Sequence, residues 1–280
     1  MQNLSLAQLL SRLGDLVEVS GTEFFPEKIK DFFESLGDIS EFSILTFQKN
    51  AIPIPVFTTV SGADKNLEHY CNGLYLLDPF YDSYVKNNFA SFATWGDIAP
   101  NVFEESIQAY INYMGNWGEL EEVGYVFPVS ADTSLHFSFA LPSSDKGGNN
   151  LFTEFLKDLY PFLRPLIAKH WQDIETSIKE QELEMRRLHT QVQSILNNFG
   201  SSVLTGREQE IVRSMLQGHS AKSTAEVLGI SAGTVNVHRS NIYEKLDISS
   251  NSELFSLFID AMTSVEVSGN QDVLKNYLSH

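Results

Sequence analysis

The chain has 280 residues, 42% of them hydrophobic and 12% aromatic, with a formal net charge of −17. Such a composition belongs to globular rather than disordered protein, and this length allows two domains, each with its own core. One cysteine, Cys71, permits no internal disulfide and excludes a multi-cysteine zinc site, and no apolar run approaches the roughly 18 residues of a membrane span.

The opening MQNLSLAQLL lacks the basic region, apolar run and cleavage site of a secretory signal, so a cytoplasmic protein is expected, with no membrane partner. Residues 6–19 and 26–37 have helical spacing, and 42–49 and 54–62 read as strands joined by a short turn. Helices are expected over 64–77 and 102–117, then an antiparallel pair of strands over 123–130 and 134–142 around the polar turn ADT. SSDKGGNN is a loop, and a helix resumes at 151–163. The fold class is α+β, an antiparallel sheet flanked by helices in a GAF/PAS-like α-β-α sandwich, followed by a long connector helix and a C-terminal four-helix module.

In the connector, Trp171, Ile174, Ile178, Gln181, Met185, Leu188, Val192 and Ile195 alternate spacings of three and four. That is the seam of a two-stranded coiled coil, with Gln181 as a polar register device. The competing reading is a helix that packs on its own domain. NNFGSS ends the helix and supplies a joint. The expected divisions are an N-terminal α+β domain at 1–165, a connector at 166–202, a helical module at 203–265 and a tail at 266–280.

Beyond the joint, Thr205 and Glu208 have the spacing of a capping box, and Ile211, Val212, Met215 and Leu216 make an inner face. Ser220 caps a second helix with Ala225, Val227 and Leu228 inward, Gly229 stops it, and Ser231 caps a third. There Val235, Ile242 and Leu246 form the buried stripe, and SNSE opens a fourth helix. Two helices joined by a three-residue turn make a helix-turn-helix. The third helix leaves Asn236, Val237 and Ser240 outside, residue types that read adenine edges and thymine methyls. Ser231 and Thr234 add hydroxyls at its N-terminus, Lys222, Arg239 and Lys245 flank it for phosphate, and His238 is either packing or a phosphate contact. The acidity sits elsewhere, with −13 in residues 1–165 and −2 in residues 204–262, so DNA contact depends on where the charges face.

The stretch LTGREQEIVRSMLQGHSAKSTAEVLGISAGTVNVHRSNIYEKLDI resembles the DNA-binding domain of LuxR-type transcription regulators. It shares their Leu-Thr-x-Arg-Glu opening, Leu-Gly-Ile-Ser turn, Thr-Val-x-x-His helix start and Lys-Leu ending. The resemblance implies that Asn236, Val237 and Ser240 occupy base-reading positions. It departs from the family at Asn236, where Lys or Arg is common, and at Thr224, where an aliphatic residue is usual.

The N-terminal half offers LEHYCNGLYLLDPFYDSY, with Tyr70, Tyr75, Asp78, Phe80 and Tyr81, and then Trp95. Asp78 before Pro79 is either a helix cap or the acceptor for a ligand N–H in an aromatic pocket. The order Asp78–Pro79, Trp95, Gly124 and Pro128 is similar to the autoinducer-binding domain of quorum-sensing LuxR-type receptors. The resemblance implies a small-molecule effector contacted by Tyr70, Asp78 and Trp95. The family's lactone-contacting Trp has no counterpart, since residues 1–94 contain no Trp. His69 and His136 read as ordinary histidines and Cys71 as inert, and no phosphate loop, catalytic triad or metal set appears, so neither an enzyme nor a cofactor is expected. The sequence thus points to a homodimeric, ligand-responsive regulator acting on a double-stranded DNA operator. The alternative is an interaction scaffold whose module no longer binds DNA.

Overall fold

A computed structural model describes residues 5–39, 41–59, 63–98, 120–142, 149–264 and 272–278. The helix expected over 102–117 lies outside the described residues.

The chain opens with α1 (Leu6–Val19), where Ser5 and Gln8 form a reciprocal capping box, and α2 (Phe25–Glu34), which carries Pro26 in its first turn. Strands β1 (Glu41–Gln48) and β2 (Pro55–Thr58) follow. The helix expected over 64–77 is broken, because α3 (Ala63–Cys71) ends near Gly73 and a 3-10 turn, Leu74–Leu77, leads to α4 (Pro79–Asn87). Next come β3 (Phe92–Thr94), the short α5 (Trp95–Ile98), β4 (Leu120–Pro128) and β5 (Thr133–Pro142). The strands form one antiparallel sheet in the order β2-β1-β5-β4-β3.

Period-two alternation gives this sheet two unlike faces. One carries Phe42, Ile44, Val123, Tyr125, Phe127, Leu135, Phe137 and Phe139, all buried against α1, α2 and α6 (Asn149–His170). The other carries Leu45, Phe47, Val126 and His136, covered by Tyr70, Leu74, Leu77, Phe80 and Tyr81 from the α3–α4 segment. Helices on both faces make the expected α-β-α sandwich.

The connector departs from a continuous coiled-coil seam. A turn at 171–173 separates α6 from α7 (Ile174–Asn198), and Trp171 sinks into the sensor core, edge-on to Phe25 and Phe137. At the other end Val192 and Ile195 are buried within this chain, and Met185 and Leu188 pack against the same core. Of the expected seam, Trp171, Val192 and Ile195 are therefore buried within this chain, and Met185 and Leu188 are partly buried against it. The side chains of Ile174, Ile178 and Gln181 lie outside the described residues.

The C-terminal module comprises α8 (Gly206–Leu216), α9 (Ala221–Leu228), α10 (Ala232–Leu246) and α11 (Asn251–Ser264). The expected tail contains a further helix, α12 (Val273–Leu278), whose cap Asp272 also accepts from the backbone of Gly200 at 2.9 Å and Ser202 at 2.8 Å. No described helix is long and apolar enough to cross a membrane.

Candidate functional site

Helix α10 is held at both ends by interactions its sequence encodes. Ser231 Oγ accepts from the Thr234 N–H at 3.0 Å, and Asp247, in the left-handed region, closes the C-terminus. Val235 and Ile242 are fully buried, which turns Asn236, Val237 and Ser240 outward, with Val237 62% exposed. Ser231 and Thr234 are exposed at the N-terminus, and Lys222 is exposed on α9. Arg239 donates to the Tyr243 hydroxyl at 3.1 Å, which orients its guanidinium along the helix. His238 is half-buried, and its Nδ1 is enclosed with no hydrogen-bond partner among the described residues.

Lys245 differs from its expected role. Its ammonium binds the Glu208 carboxylate at 2.6 Å, while Glu208, only 3% exposed, also completes the capping box by accepting from the Thr205 N–H at 2.8 Å. Burial opposes ionisation of Glu208, but the hydrogen bonds from Lys245 and Thr205 outweigh it and hold the carboxyl below its usual range. Lys245 thus ties the end of α10 to the start of α8 rather than reaching for phosphate. In α9 the inward residues are Thr224 and Ala225, and Val227, expected inside, is 67% exposed.

In the N-terminal domain Tyr70 and Asp78 do converge. Tyr70 donates to Asp78 Oδ2 at 2.5 Å, while Asp78 Oδ1 accepts the Phe80 N–H at 2.7 Å, so the carboxylate caps α4 and faces the tyrosine at once. Asp78 is 2% exposed, and burial raises its pKa above the carboxylate range although hydrogen bonds from Tyr70 and from the backbone of Phe80 and Tyr81 oppose the shift. Phe80 stacks on His136 at 4.6 Å between ring centroids. Trp95 is half-buried at the start of α5. The other two tyrosines are committed elsewhere. Tyr81 donates to the Gln48 carbonyl at 3.2 Å, and the Tyr75 hydroxyl meets His189 Nδ1 on α7 at 2.6 Å.

Sequence reasoning overlooked a polar row on this sheet face. Thr58, Ser43 and Ser138 are aligned across β2, β1 and β5, with Ser43 and Thr58 hydroxyls 3.0 Å apart. Ser138 donates to Glu122 Oε1 on β4 at 2.8 Å. Burial, then the Asp78 charge, push the Glu122 carboxyl up. The legible signal was Ser134, His136 and Ser138 alternating with Leu135, Phe137 and Phe139. Cys71 is inert, its thiol pushed up to about 12 by burial. Among the described residues no group of His, Cys, Asp or Glu could hold a metal ion.

The segment bearing Tyr70 and Asp78 also touches the C-terminal module. A Cβ on Gly73 would collide with the Met262 methyl of α11 and come within 3.0 Å of Val192 Cγ1 on α7. One apolar cluster runs without interruption from Phe47 and Tyr75 through Val192 and Ile195 to Ile211, Val235 and Phe258.

Residues 202–258 match GerE, described as bacterial regulatory proteins, luxR family. A protein of Aeromonas salmonicida, named as an HTH-type transcriptional regulator in the exeN 3′ region, is 26% identical over 194 residues, 68% of this chain and 97% of that protein. The transcriptional regulatory protein UhpA of Escherichia coli (strain K12) is 42% identical over 57 residues, which are 20% of this chain and 29% of UhpA. Among solved structures, the VqsR LBD domain from Pseudomonas aeruginosa covers 57% of this chain and 94% of its own at TM-score 0.46 and 21% identity. Escherichia coli SdiA covers 93% of this chain and 98% of its own at TM-score 0.35 and 16% identity. The assignment rests on the C-terminal sequence together with the capped, outward-facing helix α10. This chain carries at its C-terminal end a helix-turn-helix domain of the luxR family of bacterial regulatory proteins.

Proposed function

We propose that the protein is a transcription regulator whose N-terminal domain binds a small-molecule effector and thereby controls operator binding by α10. The observation that carries the DNA reading is the exposure of Asn236, Val237 and Ser240 on a helix anchored by Val235 and Ile242. In this reading Asn236 pairs with a base edge, Val237 meets a thymine methyl, and Lys222 and Arg239 position the helix on phosphates. Two such helices on a palindromic site imply a homodimer.

The effector reading draws on the convergence of Tyr70 and Asp78 and on the path leading away from them. Gly73 and Tyr75 lie between those two residues in sequence and touch α7 and α11. A ligand that shifts this segment therefore shifts the contacts that hold the DNA-binding module, a population change between two packings.

The test is operator binding by the parent and Asn236→Ala over a salt series. Base reading predicts a loss of about 1–3 kcal/mol confined to one operator position. Equal losses on matched and mismatched sites would reject it. The scaffold alternative gains weight from Lys245, whose charge is taken up by Glu208. It is supported only if the parent binds no DNA even at low salt.

A further inference from the structure

The sheet face under α3 and α4 has an unusual charge pattern for the floor of a small-molecule site. Asp78, at the start of α4, and Glu122, on β4, lie close enough for one charge to act on the other, and Glu41 on β1 acts on Glu122 as well. Neither Asp78 nor Glu122 forms an ion pair with a Lys or Arg among the described residues. Their hydrogen bonds come from neutral groups, the Tyr70 and Ser138 hydroxyls and the Phe80 N–H.

A second observation is independent of the carboxylates. His136 is 1% exposed, and neither ring nitrogen has a hydrogen-bond partner among the described residues. Burial lowers its pKa to about 3, so the ring is neutral and one nitrogen is a free acceptor. Its ring lies between Phe47 and Phe80, at 4.7 and 4.6 Å, with Nε2 only 2.8 Å from where a Cβ of Gly124 would stand. Phe80 Cε1 reaches 3.3 Å from the same point, so Gly124 is the position that lets histidine and the start of α4 close on the sheet. Gly124 is flanked on this face by Glu122 and pairs with Ser138. Buried polar atoms in native proteins are normally satisfied, and an orphan acceptor that stacks on the first turn of the helix Asp78 caps, on the strand paired with the one carrying Glu122, is where a donor belongs. Ser43, Glu122 and Ser138 also remain half-accessible at mid-sheet while Phe42, Val123 and Phe139 beside them are buried.

We propose that this face takes an ammonium-bearing ligand, a primary amine with an apolar body, whose charged head is held by Asp78 and Glu122 with His136 as a third acceptor. An ammonium offers three donors and no acceptor, which matches a site of acceptors only, and the rings of Tyr70 and Phe80 suit the carbon body. A bound cation would also offset the burial and, after it, the Asp78 charge that make Glu122 hard to ionise. This inference rests on the reading of the face as the effector site.

The probes are hexylamine and hexan-1-ol, alike in their carbon chain, titrated calorimetrically into the full-length protein and its Glu122→Gln variant. The parent should bind the amine at least about tenfold more tightly than the alcohol, because charge-assisted hydrogen bonds exceed neutral ones. Glu122→Gln should reduce that preference to a few-fold. A parent that binds the alcohol as tightly as the amine overturns the ammonium proposal and leaves the effector site standing. If neither probe binds, the proposal is also overturned, and native mass spectrometry of the purified protein then decides the effector reading separately. Melting without ligand gives an independent check. A carboxyl whose folded pKa is raised contributes stability at low pH that is lost as pH rises toward that pKa. Glu122 is acted on by Asp78 and Glu41 and hydrogen-bonded by Ser138, none of which supplies a positive charge. Glu122→Gln should therefore melt higher than the parent at about pH 8 and much closer to it at about pH 5. A gap that does not change with pH overturns the uncompensated pair on which the proposal depends.

Discussion

Thr224→Val should stabilise the protein, and the size of the gain can be worked from its surroundings. Thr224 is 1% exposed on α9, and its Oγ1 has no hydrogen-bond partner among the described residues. An unsatisfied buried hydroxyl costs about 1–3 kcal/mol by mutational measures. Valine has the same shape, so no cavity or overpacking opposes the exchange, and its helix propensity is close to that of threonine. The new methyl adds up to about 0.8 kcal/mol of apolar burial. A net gain of about 1–2 kcal/mol follows, allowing for partial relief of the hydroxyl by rotation toward the backbone. Urea unfolding of the full-length protein, followed by circular dichroism, should show a higher midpoint at unchanged slope. Thr224→Ser is the control, since it keeps the hydroxyl, loses the methyl, and should destabilise. If Val proves no more stable than Thr, the hydroxyl has a partner and the account of this position is wrong.

The remaining predictions concern ties between elements. Lys245→Ala should cost about 1–2 kcal/mol near neutral pH, a figure discounted because the lysine is partly exposed. Glu208 has a depressed pKa, so this contribution is fully present above the usual carboxylate value and is lost as pH falls through the depressed folded value. The gap between parent and variant in thermal melts should narrow progressively on acidification below the usual carboxylate range. Tyr75→Phe leaves His189 Nδ1 enclosed without a partner and should lower stability by about 1–2 kcal/mol in urea, whereas an unchanged midpoint would mean the 2.6 Å bond contributes nothing. Lys222→Ala should weaken binding to all DNA sequences alike and reduce the salt slope by about one unit per subunit, read from titrations at several salt concentrations.

What the sequence determined is local. The Thr205–Glu208 box, the Ser220 and Ser231 caps and the Gly229 stop each span four residues or fewer, so the chemistry that sets them is written side by side in the chain. The outward set Asn236, Val237 and Ser240 follows from 3.6-residue periodicity once Val235 and Ile242 are taken as the anchor. Where two faces compete, that reasoning fails. Period alone put Val227 inside, but in a helix of eight residues the neighbours chose Thr224 and Ala225 instead. The heptad of the connector showed an apolar stripe without saying what covers it, and this chain's own sensor core and DNA-binding module do so at both ends. The polar sheet face was least legible of all. Asp78 begins a helix, Glu41 and Glu122 come from strands separated by another strand, and only antiparallel pairing around β5 brings their charges together. Gly73 likewise carries no mark in sequence of the α11 methionine that lies against it. Caps and periods act over one or two turns of chain, whereas burial, charge repulsion and close approach depend on which distant segments the folded core sets side by side.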